Sequence, residues 1–483
     1  MELKKSYLAV AIVTAGLVGC GSDDSSSSTN SSGSSDLTFL DCNDAKDICT
    51  LTGTISEDFT MKSDVQYVLD GLVRVGRGNT AFTATSDVVL AKDDGVTLTI
   101  EPGTDVRGAD DGVLIVTRGS KLMAEGTAAN PITFSSLSDN DYDGLGEWGG
   151  VIIQGLAPQY GQGNTGACFG TGTICNVQGE GGTGVGFYGG NEPADNSGVL
   201  KYVRIAEAGK VAGPNNEVNG LTLMGVGHGT TIDYVQVHNN LDDGIEWFGG
   251  TVNVTHAVLT GNDDDDIDFD TGYKGNIQFA IVRKNPDLKN PSGSNDPRGI
   301  EANSSDNEYV PQTEGALANI TLVGAKVTEG QYGMRLRGSL TTRIYNTVVV
   351  NWESCVRVDD SDHDGKSETD KIPSDVTLVN VIGECSEKFY TKRDADSEVG
   401  TVGAVAIDLT DAAAMTATTE FTVAAWEPVD NGSGFAFENT NYAGAVAPGT
   451  AAADAWWAGW TIPGSLDGIA DQDDAAATFT AAQ

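Results

Sequence analysis

The chain has 483 residues, and its 28 Lys and Arg against 69 Asp and Glu give a formal net charge of −41. A phosphate backbone is bound by clustered cationic side chains that release counterions, so this composition excludes nucleic acid as a partner. The length fits about three ordinary domains or one elongated repeat fold, and composition alone does not choose between them.

Residues 1–19 read as a secretion signal. Lys4 and Lys5 precede an apolar run over residues 7–19, too short for a membrane-spanning helix, which needs about 20 residues. The run ends in Leu17-Val18-Gly19-Cys20, which resembles the bacterial lipobox. That resemblance implies cleavage before Cys20 and diacylation of its thiol, so the partner at this end is a membrane, reached through a lipid. An ordinary cleaved signal with an accidental Cys is the alternative. Gly21 follows the Cys, and similarity to enterobacterial sorting rules then points to the outer membrane, on its periplasmic or cell-surface face. Residues 20–36 form a tether: of the sixteen residues after Cys20, nine are Ser and none is apolar. A random coil of that length reaches roughly 20–25 Å.

Six cysteines remain after Cys20. An even set in an exported chain suggests disulfides. Cys42 and Cys49 share the spacing C-x6-C with Cys168 and Cys175, which leaves Cys355 with Cys385, although other connectivities are open. Neither a CxxC motif nor a nearby His favours a metal site at these thiols.

Residues 37–89 read as an N-terminal cap region, and residues 90–390 as a solenoid. The latter is a succession of short β-branched runs, such as Val96-Thr97-Leu98-Thr99-Ile100 and Val151-Ile152-Ile153, separated by Gly, Asn and Asp. Asn240, Asn262 and Asn285 recur at steps of 22 and 23 residues, and a second register places Ile245, Ile267, Ile300, Met334 and Val356 at corresponding points. A period near 22 built from three short strands suits one coil of a parallel β-helix, because each coil buries its inward side chains only against its neighbours. Strand alternation then points Glu246, Asp268, Glu301, Arg335 and Arg357 outward as a row. A β-sandwich or propeller is the competing architecture, but it would not repeat like residues at this interval.

The stretches LTIEPGTDVRG (98–108), RGSKLMAEGTAANPITF (118–134) and GEWGGVIIQG (146–155) resemble the opening coils of right-handed parallel β-helix proteins of the pectate-lyase-like superfamily. More narrowly, they are similar to a group of exported lipoproteins of Gram-negative bacteria, as are NYAGAV (441–446) and DAWWAGWT (454–461). The resemblance implies an all-β, right-handed parallel β-helix and no particular activity. Residues 391–483 are expected to fold over its end, with Trp456, Trp457 and Trp460 covering exposed core; stacking on sugars is their alternative use.

Two acidic loops have carboxylates at alternate positions before Gly, the pattern that wraps oxygen ligands around Ca²⁺. One holds Asp139, Asp141 and Asp143, with Glu147 further on. The other holds Asp360, Asp362 and Asp364, with Glu368 further on. A second candidate cation site stacks Asp242, Asp243 and Glu246 one repeat before Asp265, Asp266, Asp268 and Asp270. Carboxylates at the strand spacing of about 4.8 Å are costly unless protonated, paired or metal-bound. Pectate lyases, by resemblance, hold Ca²⁺ on β-helix carboxylates and use an Arg as base; the alternative is a surface ladder in which arginines neutralise acids. His228, His238 and His256 accompany no GxSxG nucleophile motif, and the Gly-rich loop 179–184 lacks the strand and helix of a dinucleotide site. The expected function is a non-enzymatic lipoprotein that binds an extracellular polysaccharide, an ion or an outer-membrane receptor. A Ca²⁺-dependent polysaccharide lyase or an Asp/Glu glycosidase is the alternative.

Overall fold

The computed structural model describes residues 37–160, 174–213, 216–285, 297–305, 309–325, 331–359, 375–386, 388–392, 426–447 and 449–466. The expected signal and tether with Cys20 lie outside these residues, as do Cys168, Asp360, Asp362 and Asp364.

Alternation sets the strands. In Ile245–Phe248, Ile245 and Trp247 are buried while Glu246 and Phe248 are half-buried, so one face turns to the core and one away. Among the described residues most strands gather into a 15-stranded and an 11-stranded sheet, both running parallel from coil to coil, the first of them after an opening hairpin. In the second sheet Ile245 pairs with Ile267, Ile267 with Ile300, Ile300 with Met334 and Met334 with Val356. All five side chains are fully buried. The fold is a parallel β-helix, and the near-22-residue repeat is its coil.

Three straight segments per coil resolve into two sheets because one corner is a single residue. Tyr202, Tyr234, His256, Phe279, Asn319, Asn346 and Asn380 all take φ between 44° and 60° in mid-strand. Such a φ is strained for bulky residues. Here the rings offset the strain by stacking across coils, with Tyr202 and Tyr234 centroids 4.5 Å apart and Tyr234 and His256 centroids 4.2 Å apart. Strand Gly198–Ala206 shows the corner directly: residues before Tyr202 pair with Lys121–Glu125, and residues after it with Ile132–Ser136.

Two expectations are corrected. The coils begin near residue 54 rather than 90, since Thr54–Ile55 pairs in parallel with Leu72–Val75 and Phe59–Met61 with Thr97–Ile100. Strands of two to four residues carry too little alternation to be read, and an inserted helix, Thr85–Asp93, breaks the interval. Ahead of them the antiparallel hairpin of Leu40–Cys42 and Ile48–Leu51, closed by the Cys42–Cys49 disulfide, covers the leading edge of the first sheet. Cys355 is bonded to Cys385, and Cys175 is disulfide-bonded as well.

The second correction concerns the tail. Residues 426–447 and 449–466 do not close an end; they run along the flank of the first sheet. Trp457 and Trp460 pack with Val258, Ile281, Val323 and Val348, while Trp426 and Phe437 pack with Ala316, Ala318 and Tyr345. Outward-facing polar side chains of successive coils receive the strap's backbone N–H groups. Gln236 accepts from Ile462, Asn276 from Val429, Gln278 from Glu438 and Thr321 from Ala445, all at 2.7–2.8 Å. An extended segment without strand partners must satisfy its donors in this way.

Candidate functional site

The outward row of the second sheet carries Thr222, Glu246, Asp268, Glu301, Arg335 and Arg357 on successive strands, in register. Its charges are segregated. Glu301, nearly buried, is gripped by Arg298 and Arg337, each at 2.5 Å. Asp359 binds Arg335 and Arg357, each at 2.6 Å, and Asp265 binds Arg298 at 3.1 Å. This half is an ion-pair ladder.

The other half is not compensated. Asp243, Glu246 and Asp268 bring carboxylate oxygens within 4.8 Å of one another, and none has a lysine or arginine ion partner among the described residues. Asp243 Oδ1 accepts from the Asp265 N–H at 2.9 Å, and Glu246 Oε2 from Asn219 Nδ2 at 2.5 Å. Burial first, then repulsion from neighbouring carboxylates, pushes all three well above the ordinary carboxylate range. Buried oxygens without a hydrogen-bond partner border the cluster: Asp268 Oδ1, Thr222 Oγ1 and Asn219 Oδ1. Asn219 and Thr222 are each 1% exposed, and Thr222 stands directly beside Glu246 in the ladder. A buried oxygen left unpaired costs about 1–3 kcal/mol, which a cation or a donor at this point would recover.

The remaining candidates separate. Asp242 and Asp243 converge with Asp264 in an adjoining group, and Asp265 and Asp268 with Glu301. Asp266 is drawn away from the row: it is fully buried against Lys284 Nζ at 2.8 Å and accepts from Asn262 Nδ2 at 2.9 Å. Asp270 is held by the Tyr160 hydroxyl at 2.6 Å and by Asn303 Nδ2 at 3.3 Å. Asp139, Asp141 and Asp143 do lie together, and Asp139 also meets Glu147 and the buried Glu207. Asp141 pushes the carboxyls of Asp139 and Asp143 upward. Glu207 accepts from the Ser136 and Gly144 N–H groups at 3.1 and 3.3 Å, which ties this loop to the coil. Asn219, Thr222 and Glu207 had no signal in the sequence, being neither part of an acidic run nor at the repeat interval.

A parallel β-helix with a carboxylate-rich outward face defines the class of protein. The chain matches the family model of the pectate-lyase like β-helix domain over residues 53–461 and belongs to that family. No curated protein and no solved structure matches it.

Proposed function

We propose that the protein is an exported, lipid-anchored, non-enzymatic β-helix that holds Ca²⁺ at Asp243, Glu246 and Asp268 and presents it to an extracellular glycan or a partner protein at the outer membrane. The observation that carries this reading is the convergence of three uncompensated carboxylates beside the unpaired oxygens of Thr222 and Asn219. Ca²⁺ takes six to eight oxygen ligands in flexible geometry, and a site left open on an outward face has room for ligands from outside the chain. The arginines that could act as a lyase base are committed to carboxylates: Arg298 to Asp265 and Glu301, and Arg335 and Arg357 to Asp359. Those pairings favour binding over the lyase alternative. The membrane part of the reading rests on the Leu17-Val18-Gly19-Cys20 motif and the Ser-rich tether that follows.

Calorimetric titration of the purified mature chain with Ca²⁺, and with Mg²⁺ for comparison, tests the site. Saturable Ca²⁺ binding that Asp243→Asn abolishes is expected, and absence of binding in the millimolar range overturns the reading. Cys20→Ala is expected to shift the protein from the membrane to the soluble fraction. Unchanged fractionation would refute the anchor.

A further inference from the structure

The outward row that carries Glu246 and Asp268 starts differently in the earlier coils, where the same register holds Ile115, Ile152 and Thr222. An insertion covers the two isoleucines. A short antiparallel hairpin, Val177–Gln178 with Phe187–Tyr188, packs Val177, Val185 and Tyr188 against them. Arg74 Nη2 donates to the Gly184 carbonyl at 2.7 Å and Gln154 Nε2 to the Val185 carbonyl at 3.0 Å, which fixes the hairpin on the coils. The hairpin thus walls the acidic stretch of the face on one side.

Against this wall opens a cavity of about 700 Å³, whose lining includes Gln178, Thr183, Tyr188, Phe248, Asp270 and Thr271. Pockets for small ligands typically enclose about 300–1,000 Å³ and combine an apolar surface with a few placed polar groups. Phe248 and Asp270 pair across neighbouring strands, so a half-buried ring and a carboxylate stand side by side. Asp270 is held by the Tyr160 hydroxyl and by Asn303, so its position does not depend on an occupant. Thr271 is the member that the fold leaves unexplained. It takes a φ of 51°, an outlier for a β-branched residue, and its Oγ1 is buried without a hydrogen bond of sound geometry although the Tyr188 hydroxyl stands near it. A buried hydroxyl in that state is costly, and strained backbone of this kind gathers at ligand sites.

The set matches a neutral sugar. The C–H face of a pyranose packs on an aromatic ring, and its hydroxyls donate to carboxylate oxygens and exchange hydrogen bonds with a hydroxyl such as that of Thr271. It does not match a uronate, because the nearby arginines are committed. Arg74 is spent on the Leu72 and Gly184 carbonyls, and Arg337, which also bears on Asp270, on Glu301. A strand rises about 3.3 Å per residue, so Phe248 and Glu246 stand about 7 Å apart on one face, within the span of a disaccharide.

We propose that this cavity holds a neutral hexose unit of the glycan, its ring on Phe248 and its hydroxyls on Asp270 and Thr271, a ligand class that rests on the glycan reading above but not on its ion. The test is calorimetry and saturation-transfer NMR on the full mature chain, in Ca²⁺ and in EDTA, with four probes: cellobiose, lactose, β-1,4-mannobiose and digalacturonate. At least one neutral disaccharide should bind in the millimolar range or tighter, and about tenfold or more tighter than digalacturonate. Saturation should be strongest on its ring C–H protons. Thr271→Val should weaken that binding about tenfold while the melting temperature holds or rises, since a methyl replaces an unsatisfied hydroxyl. A hydroxyl with only a structural role would do the reverse. Phe248→Ala should weaken binding independently. If the parent takes up Ca²⁺ but no neutral disaccharide, this proposal is overturned and the ion reading stands; if a neutral disaccharide binds equally in EDTA, the cavity stands without the ion. Tighter binding of digalacturonate, or parental affinity in both variants, overturns it as well.

Discussion

Asp268 and Glu301 stand side by side in register on neighbouring strands, yet only Glu301 is held by arginines. One step along a uniform scaffold therefore changes the chemistry from a neutralised ladder to an uncompensated cluster. The difference lies in which coil supplies a cation: Arg298 and Arg337 reach Glu301, and no equivalent residue precedes Asp268. A backbone repeat of this kind keeps its spacing while the outward positions vary freely, which lets structural and ligand-binding stretches share one face.

Asp268→Asn is expected to act in opposite directions with and without the cation. In EDTA it removes a buried carboxylate that lacks an ion partner and should stabilise the fold by about 1–2 kcal/mol. In millimolar Ca²⁺ the variant should lose most of the ion-dependent rise in melting temperature that the parent shows, since an ion bound only by the folded state stabilises by mass action. Melting curves of both proteins in both buffers check this, and equal Ca²⁺ responses would sink it.

Stability should also fall with rising pH in the absence of divalent ions. A carboxyl whose pKa is higher in the folded than in the unfolded chain keeps its proton longer when folded. Between the two values the folded state binds more protons, and unfolding becomes easier as pH climbs. For Asp265 and Asp266 the window runs from 3.8 up to about 7, with burial as the first cause. Asp243, Glu246 and Asp268 extend the same trend, being shifted in the same direction. Melting in EDTA should give a higher midpoint near about pH 5 than near about pH 8, and Ca²⁺ should flatten the slope. A flat profile in EDTA would show that these groups are ionised at little cost.

The coils from Gly198 to Val358 were legible because an inward Ile, Met or Val recurs beside an outward charged residue, and period two and period 22 reinforce each other there. Where strands shrink to two or four residues, as at Thr54–Ile55, neither period has enough members to show. The strap could not be read for a different reason. Its contacts, such as Ile462 to Gln236, join residues far apart in the chain through side chains of ordinary polarity. At the site, the acids of the row were visible as acids. The pairing that disarms Asp266 depends on Lys284, eighteen residues away on the next coil, and only the fold brings the two together.

That buried pair makes a sharp mutational prediction. Lys284 is 4% exposed and Asp266 fully buried, and the lysine also donates to the Asn262 and Asp264 carbonyls. Lys284→Met leaves a buried carboxylate and turn carbonyls without their donor, and should cost about 3–5 kcal/mol. Adding Asp266→Asn removes the stranded charge and should recover part of that loss. Urea unfolding of the single and double variants measures the coupling. A double variant no more stable than Lys284→Met would mean that the carbonyls, rather than the ion pair, dominate.

The strap offers the last test, because its role is distributed over many coils but its packing is concentrated in a few rings. Trp460 is 1% exposed, lies edge-on to Tyr202 and Tyr234 at centroid distances of 5.7 and 6.1 Å, and donates its indole N–H to the Trp456 carbonyl. Those two tyrosines occupy strained corner positions with positive φ, so the ring that packs on them also helps to hold the corner. Trp460→Ala should cost about 3–5 kcal/mol of the strap's docking and loosen it from the flank before the coils themselves unfold. Hydrogen exchange should then show faster exchange at Ala445 and Ile462, whose N–H groups bond to Thr321 and Gln236, with little change in strands Ile267–Asp270 and Arg298–Ser304. If the whole solenoid loses protection together, the strap and the coils form one cooperative unit and the tail is integral to the β-helix core.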